Sequence, residues 1–278
     1  MMPSIHPTAI IADGARLADS VAIGPFCVVG PNVTLGENVT LHASAIVDGW
    51  TTLAEGVQVH SFAVVGGPPQ HLRYKGEPTC VEIGRNTIIR EHVTVNRGTA
   101  FGTGLTSVGE NTLLAIGCHI AHDCDVGDNC QVMNHVLLGG HVSIGNNAII
   151  GGGAAIHQFV RIGNGAMIGG MSGVEGDVIP NGVVMGKRAR LEGLNIIGLK
   201  RRGTTRDDIH MMRAAYRMLF GTGGEGVWVD RLKAVRETFA DSPPVQDVIR
   251  FLEVDASRSL CRPERVPAMD ASAADNDA

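Results

Sequence analysis

The stretch that decides the fold runs from Val108 to Ile179 and divides into twelve hexads: VGENTL, LAIGCH, IAHDCD, VGDNCQ, VMNHVL, LGGHVS, IGNNAI, IGGGAA, IHQFVR, IGNGAM, IGGMSG and VEGDVI. Every hexad begins with Val, Leu or Ile, and its fifth residue is small or β-branched. A period of six is neither the helix period of 3.6 nor the strand period of 2, so it marks a structural repeat. Hexads of this form are typical of a β-solenoid, the left-handed parallel β-helix, in which three successive hexads complete one coil.

The same spacing of aliphatic residues holds through most of the preceding chain. It runs without a slip from Ile5 to Val65, and it resumes from Ile83 to Val95. Each repeat can bury its hydrophobic face only against its neighbours, so residues at one fixed period share one interior. We therefore predict that the β-helix spans residues 1–190.

Two polar interruptions break the repeat, and we predict loops at residues 67–80 and 99–107. The first reads GPPQHLRYKGEPTC, and the second reads TAFGTGLTS. Val65 and Ile83 are separated by the length of one coil, so the first loop can be interpreted as one complete coil that is looped out. Loops carry function more often than the scaffold that supports them.

The pattern after residue 190 changes from hexads to helical periodicity. It predicts a short amphipathic segment and three helices, at residues 194–202, 206–219, 227–240 and 245–254. We expect a small α-helical C-terminal domain at 191–262 and a disordered tail at 263–278, since the tail is poor in hydrophobic residues.

Composition limits the class of protein. The chain is 44% hydrophobic but only 4% aromatic, and its net charge of -5 argues against nucleic-acid binding. No apolar run approaches the roughly 20 residues that cross a bilayer, and no secretory signal opens the sequence, so we expect a cytoplasmic protein without stable membrane insertion. Four of the six cysteines fall at the small inward position of the repeat, where they are best interpreted as core residues in a reducing compartment: Cys27, Cys118, Cys124 and Cys130.

The coil length makes vertical stacking computable, because residues i and i+18 lie one above the other. One short vertical patch then collects three histidines, a carboxylate, an amide and a glycine: His122, Asp123, Gly140, His141, His157 and Gln158. Histidine is suited to move protons near neutral pH, and a neighbouring carboxylate can orient its ring. A glycine lets a ligand approach a backbone N–H that can support an oxyanion.

Three interpretations of this patch stay open at the level of residue types. It can be the site of a transferase with a histidine base. It can be a zinc site, because histidines of neighbouring coils or subunits hold zinc in the γ-class carbonic anhydrases. It can also be a polar ladder on a non-catalytic scaffold, since solenoid surfaces carry such ladders for solubility.

Six short motifs resolve the choice by resemblance, and they run in order through almost the whole chain: residues 23–27 (IGPFC), 76–79 (GEPT), 119–124 (HIAHDC), 139–142 (GGHV), 155–159 (AIHQF) and 198–203 (GLKRRG). The sequence resembles the acyltransferases that act on UDP-N-acetylglucosamine in the first step of lipid A biosynthesis. The resemblance implies a homotrimer of left-handed β-helices with active sites between adjacent subunits. It also implies transfer of a 3-hydroxyacyl chain from acyl carrier protein, by direct attack, with no metal and no cofactor of the enzyme's own.

The resemblance further assigns roles to individual residues. His122 would be the general base for the 3-hydroxyl of the glucosamine, Asp123 would support it, and the Gly140 N–H would hold the oxyanion. Gly170 aligns with the position that stops the acyl chain, and a glycine there predicts a longer chain. The substrate-binding set would comprise Gln70, His71, Arg73, His119, His141, His157, Gln158, Asn195, Arg201 and Arg202.

Overall fold

The aliphatic hexads build a three-sided prism of parallel strands, one hexad per side. The computed structural model describes residues 3–221, 227–254 and 257–264. The predicted disordered tail lies outside the described residues from 265 onward. Strands of each side stack with the register expected of the repeat, as in Ile5 opposite Ile23 and Val126 opposite Ile144. The left-handed parallel β-helix predicted from the sequence is therefore the fold of the chain.

Three sheets form the sides of the prism. The first sheet contains Ser4–Ile5, Ala22–Ile23, Thr40–Leu41, Gln58–Val59, Ile88–Ile89, Leu113–Leu114, Gln131–Val132, Ile149–Ile150, Met167–Ile168, Gly182–Met185 and Arg190–Leu194. The second sheet contains Ile10–Ile11, Val28–Val29, Ile46–Val47, Val64–Gly67, Thr94–Asn96, His119–Ile120, Leu137–Leu138, Ala155–Ile156 and Gly173–Val174. The third sheet contains Arg16–Leu17, Thr34–Leu35, Trp50–Leu53, Cys80–Ile83, Leu105–Val108, Asp125–Val126, Ser143–Ile144 and Arg161–Ile162.

The two restricted hexad positions form the core. All twelve residues that open the hexads of 108–179 are at most 3% exposed, and all twelve at the fifth position are at most 2% exposed. Burying an aliphatic side chain of this size contributes roughly 1.5–3 kcal/mol, so the rows together hold the prism. The prediction that Cys27, Cys118, Cys124 and Cys130 are core residues is confirmed, since each is at most 1% exposed.

Neither of the two loops removes a whole coil from the prism. Leu53 pairs with Ile83, whereas a regular coil would pair it with position 71. Ile83 in turn pairs with Val108, whereas a regular coil would pair it with position 101. The interpretation of the first loop as one looped-out coil is therefore wrong: the chain inserts the length of two hexads at a corner and then continues the same coil.

The upper end of the prism closes with an antiparallel hairpin rather than directly with a helix. Gly182–Met185 pairs with Arg190–Leu194, so the boundary predicted after residue 190 falls inside this hairpin. Four helices follow, namely α1 (Ile196–Arg201), α2 (Arg206–Phe220), α3 (Trp228–Thr238) and α4 (Pro243–Glu253). The longest of these is α2, and among the described residues no helix combines the length and apolarity that crossing a membrane requires.

The helices cover the upper coils, whereas the first coil is open. Helix α2 begins after its cap Thr205, whose hydroxyl accepts a hydrogen bond from the Asp208 N–H, and it buries an apolar stripe. The Asn164 side chain of the prism donates to Asp247 of α4. At the opposite end Ile5, although it holds the inward position of its hexad, is 40% exposed because no coil lies beneath it. Terminal coils need such covers because only neighbouring repeats bury the repeated face.

Candidate active site

One corner of the prism carries both loops and the histidine patch. It is the corner at which the chain passes from the second sheet to the third, and we call it the insertion corner. Its successive levels are residues 68–79, 97–104, 121–124, 139–142 and 157–160. The two insertions occur one coil apart and directly precede the level of His122, so they can fold against it.

His122 and Asp123 form a hydrogen-bonded pair at this corner. The His122 Nδ1 atom lies 2.8 Å from Asp123 Oδ2. An ionised carboxylate only accepts hydrogen bonds, so Nδ1 carries the proton, and none of the described residues bonds to the Nε2 lone pair. The Asp123 side chain is fully buried, while that of His122 retains 12% exposure. The pair therefore places one basic nitrogen at the edge of the solvent.

Asp123 is held by the second loop, residues 97–104. Its Oδ1 accepts hydrogen bonds from the Thr99 N–H (3.0 Å) and the Gly104 N–H (3.0 Å). The Thr103 hydroxyl also lies 3.1 Å from Oδ1 and shares its single proton between Oδ1 and the Leu105 carbonyl, which is 2.9 Å away. Asp123 Oδ2 accepts a 2.6 Å hydrogen bond from the Thr99 hydroxyl in addition to that of His122. Burial raises the pKa of Asp123, but these hydrogen bonds outweigh it and lower the pKa below its ordinary value. The carboxylate is therefore charged near neutral pH.

Gly140 lies directly above His122, as the length of the coil predicts. A Cβ atom added to Gly140 would lie 2.6 Å from His122 Cε1 and 2.8 Å from Nε2. Among the described residues, no group accepts a hydrogen bond from the Gly140 N–H. A side chain at this position would thus occupy the space over the base, and its absence leaves both Nε2 and an N–H donor for a ligand.

Aromatic rings line the site as a continuous column along the insertion corner. The ring centroids are separated by 4.6, 5.5, 5.1 and 4.4 Å in the order Phe101, His71, His122, His141 and Phe159. Burial lowers the pKa of His141 and outweighs the charge of Asp123, which raises it; His122 and His71 lower it a little further, so a neutral ring is favoured at pH 7. The column brings the predicted residues His71 and His141 against His122 from below and above.

The other predicted residues of the first loop lie at the rim. The Arg73 guanidinium lies 4.1 Å from the centre of the Phe101 ring, and the Arg73 N–H donates to His71 Nδ1. Gln70 is exposed. This contact of the first loop with the second keeps a cation next to the aromatic column.

His157 and Gln158 lie above Gly140 and are held by a residue that the sequence did not reveal. The Arg258 guanidinium donates to His157 Nδ1 (2.7 Å) and to the Gln158 carbonyl (2.9 Å). Arg258 belongs to a segment that returns to the prism through reciprocal backbone hydrogen bonds between Asp177 and residues 259 and 261. The two predicted substrate-binding residues are thereby fixed at the upper end of the patch.

The segment near α1 that carries three predicted residues is bonded to the corner between the third and first sheets, whereas His122 lies at the insertion corner. Asn195 caps α1 by accepting from the Gly198 N–H and also donates to the Gly165 carbonyl, so both ends of its side chain are occupied. Arg202 donates to Asn181, whereas Arg201 is exposed. The geometry gives Asn195 a structural role first, and its role in ligand binding stays a prediction.

The two remaining residues lie on the second sheet and at its edge. His119 is half-buried, its Nδ1 lies 2.8 Å from the Thr94 hydroxyl, and burial lowers its pKa. Gly170 is exposed at the corner between the first and second sheets, a different corner from that of His122. Its assignment to acyl-chain length stays a prediction.

A metal could be considered at the patch, because one potential ligand atom from each of His122, Asp123 and His141 lies within 4.8 Å of the others. The chemistry of the donors fits this poorly. Both oxygens of Asp123 already accept hydrogen bonds from Thr99, and His122 Nδ1 is committed to the same carboxylate. A metal would have to compete with donors that satisfy a fully buried charge.

The cysteines nearest the site do not supply a nucleophile. Burial raises the pKa of Cys124 to about 12 and that of Cys118 to about 11. Both thiols lie in the core, and a thiolate is the reactive form. The described residues therefore offer a base and an N–H donor, which suit direct transfer to a bound acceptor.

Known proteins match this chain over most of its length, and family models match parts of it. Residues 177–261 match the family model described as UDP-N-acetylglucosamine O-acyltransferase, domain 2, and residues 106–140 match the bacterial transferase hexapeptide model. The chain is 52% identical to the acyl-[acyl-carrier-protein]–UDP-N-acetylglucosamine O-acyltransferase of Caulobacter vibrioides, over 94% of this chain and 99% of that protein. It is 51% identical to the protein of the same name from Azorhizobium caulinodans, over 94% and 96% of the two chains.

Solved structures of similar proteins have the same fold as this chain. The UDP-N-acetylglucosamine acyltransferase of Francisella novicida superimposes with a TM-score of 0.91 at 32% identity, over 99% of both chains. The UDP-N-acetylglucosamine O-acyltransferase of Moraxella catarrhalis superimposes with a TM-score of 0.89 at 39% identity, over 93% of this chain and 99% of that one. The chain belongs to the UDP-N-acetylglucosamine O-acyltransferase family, whose members are acyltransferases built on hexapeptide repeats.

Proposed function

We propose that this protein transfers a 3-hydroxyacyl chain from acyl carrier protein to the glucosamine 3-position of UDP-N-acetylglucosamine, the first step of lipid A biosynthesis. The observation that carries the proposal is the His122–Asp123 pair beneath an N–H that has no acceptor among the described residues. The names of relatives that are 51% and 52% identical over 94% of the chain supply the substrates.

His122 acts as the general base through Nε2. It removes the proton from the 3-hydroxyl as that oxygen attacks the thioester carbonyl, and Asp123 stabilises the imidazolium that forms. The tetrahedral intermediate then collapses, the carbon–sulfur bond breaks, and the imidazolium returns its proton to the leaving thiolate of the phosphopantetheine. The ester and the free thiol are the products, so the balance needs no further reactant.

The Gly140 N–H stabilises the oxyanion of this intermediate. It is free of other acceptors among the described residues, and it lies next to the base. Preorganised donors of this kind lower the barrier because they need not reorient when charge develops. A base and one such donor suffice for direct transfer, so we propose that the enzyme uses neither a metal nor a cofactor of its own.

The remaining predicted residues recognise the two substrates. His71 and His141 flank the base, Arg73 lies on Phe101 of the same column, and we propose that these side chains orient the sugar. The cations at the end of α1, Arg201 and Arg202 among them, suit a diphosphate or an acidic carrier protein. Because Arg201 and Arg202 are separated from the His122 patch within one chain, we propose that they serve the patch of an adjacent subunit in a homotrimer. The proposal places the reaction in the cytoplasm.

The test is acyl transfer from 3-hydroxyacyl carrier protein to UDP-N-acetylglucosamine, with wild type compared with His122→Ala. We expect the variant to lose at least about 100-fold in kcat, the contribution of a general base. The matched control is His210→Ala, because His210 is an exposed histidine on α2 and alanine is favourable in a helix. Retained transfer by His122→Ala would refute the proposal, as would stoichiometric zinc that is lost in this variant.

A further inference from the structure

The loop at residues 97–104 is built around a single carboxylate. It lengthens one coil by a hexad and one further residue at the insertion corner, directly below the level of His122. Four hydrogen bonds from this loop end on Asp123, two from Thr99 and one each from Thr103 and Gly104. A fifth contact comes from the strand that follows, where the Thr106 hydroxyl accepts from the Asp123 N–H.

The distribution of these donors over the two oxygens restricts how the carboxylate can turn. Oδ1 accepts three hydrogen bonds, all from the loop, while Oδ2 accepts one from Thr99 and one from His122. A carboxylate offers about four lone-pair directions, so these donors saturate it. A partial rotation about the Cβ–Cγ bond would turn both oxygens away from these donors, so the plane of the carboxylate is fixed and one oxygen stays directed at the His122 ring.

The loop also excludes other groups from the carboxylate. A Cβ atom added to Gly102 would lie 2.5 Å from Asp123 Cγ and Oδ2 and 2.6 Å from Oδ1, so the backbone itself covers the group. The Asp123 side chain is 0% exposed as a result. Among the described residues, the titratable side chains that face Asp123 are His122 on its own turn and His141 of the next coil, whose Nε2 lies 3.8 Å from Oδ2.

We propose that Thr99, Thr103 and Gly104 form an Asp123 clamp, a positioning device for the acyl transfer that fixes the orientation of Asp123 and through it the tautomer of His122. The clamp touches no reacting atom; it acts through Asp123. The proposal of the clamp rests on the proposed function, because the clamp affects catalysis only if His122 is the base. With Nδ1–H directed at a fixed Oδ2, every His122 ring presents the Nε2 lone pair to the acceptor hydroxyl.

The test compares Thr99→Val with Thr99→Ser. Valine keeps the shape and the backbone N–H but removes the hydroxyl that donates to Oδ2, whereas serine restores that hydroxyl. We expect Thr99→Val to lower kcat roughly 10-fold to 100-fold, the loss of one hydrogen bond to a charged group, with KM unchanged within about twofold. Thr99→Ser should recover kcat to within about threefold of wild type.

A spectroscopic readout separates positioning from simple stability. In ¹⁵N NMR of the wild type, His122 should show a protonated Nδ1 and an unprotonated Nε2. In Thr99→Val the ring should populate both tautomers. The matched control is Thr87→Val, which also removes a buried hydroxyl bonded at 2.7 Å to a backbone carbonyl, but at another corner. It should lower the melting temperature without changing kcat.

Each outcome bears on one proposal. If Thr99→Val keeps wild-type kcat while His122→Ala loses activity, the clamp is wrong and the proposed function stands. If His122→Ala keeps its activity, the proposed function itself fails. Should Thr99→Val not fold, Thr103→Ala removes the longer 3.1 Å bond and should reduce kcat about threefold; an unchanged kcat and tautomer there would overturn the clamp.

Discussion

The substitution Gly140→Ala tests the contact between successive coils at the candidate site. The added Cβ would lie 2.6 Å from His122 Cε1, and ordinary contacts begin at 3.4 Å, so the ring must move by about 0.8 Å. We expect this movement to weaken the 2.8 Å bond between His122 Nδ1 and Asp123 Oδ2, since a displacement of about 0.8 Å along the bond would carry the two atoms beyond hydrogen-bonding distance. Gly140 has no positive φ, so alanine adds no backbone strain.

The expected result is a loss of catalysis without a loss of fold. A displacement of about 1 Å at the reacting groups costs about 100-fold in rate, so kcat for acyl transfer should fall to about that extent. The ring retains some exposure and can give way, so the melting temperature should change little. The assay is steady-state transfer with both substrates varied, together with a thermal melt of the same preparation.

Gly24 provides the control, because its substitution should lower the stability of the fold and leave kcat unchanged. An added Cβ at Gly24 would meet backbone atoms of the next coil at 3.1 Å, and backbone cannot rotate away. Gly24→Ala should therefore cost about 1–3 kcal/mol of stability while kcat of the folded enzyme is retained. Wild-type kcat in Gly140→Ala would refute the reasoning, because it would mean that His122 can leave Asp123 without consequence.

Three neighbouring contacts can be tested separately. Arg258→Ala removes the donor that holds His157, and KM for the nucleotide sugar should rise roughly 3-fold to 10-fold with kcat kept; an unchanged KM would place His157 outside the binding site. Phe159→Asn replaces an aromatic residue at φ 65° with one that tolerates this region, so the melting temperature should not fall, but the ring stacked on His141 is lost and KM should rise. Burial lowers the pKa of His119 below 6.5 in the folded chain. At a pH between this lowered pKa and the unfolded value of 6.5, the unfolded chain therefore binds more protons than the folded chain. The free energy of unfolding should therefore fall as the pH drops below 6.5. Urea titrations at several pH values should show a smaller fall for His119→Asn than for the wild type. The same dependence of unfolding free energy on pH in both proteins would contradict a lowered pKa of His119.

Much of the fold was predictable because its information is periodic and local. One aliphatic residue in every six must be buried, and the period alone fixes the side to which each residue belongs. Within the unbroken run 108–179 the same arithmetic also placed Gly140 over His122. The hairpin at Gly182–Met185 and Arg190–Leu194 was missed, because a short extended segment outside the hexads resembles the start of a helix.

The candidate site was only half predictable, for a physical reason. The pair His122–Asp123 and its stacking partners lie on the regular repeat, so spacing located them. Thr99 and Thr103 were not singled out, since a short loop has no period and its small polar residues are typical of any loop. Only the burial of Asp123 beneath these hydroxyls distinguishes them.

The hexad period is sufficient to specify the prism, its interior rows and the vertical neighbours of His122, because hydrophobic burial at a fixed period admits one stacking. The effect of the two insertions is visible only in the folded chain. Neither insertion is a whole coil, so the stacking beyond each one follows from strand pairing, such as that of Leu53 with Ile83, and not from counting. The contact of Arg258 with His157 joins residues 101 positions apart, a separation that no local pattern records.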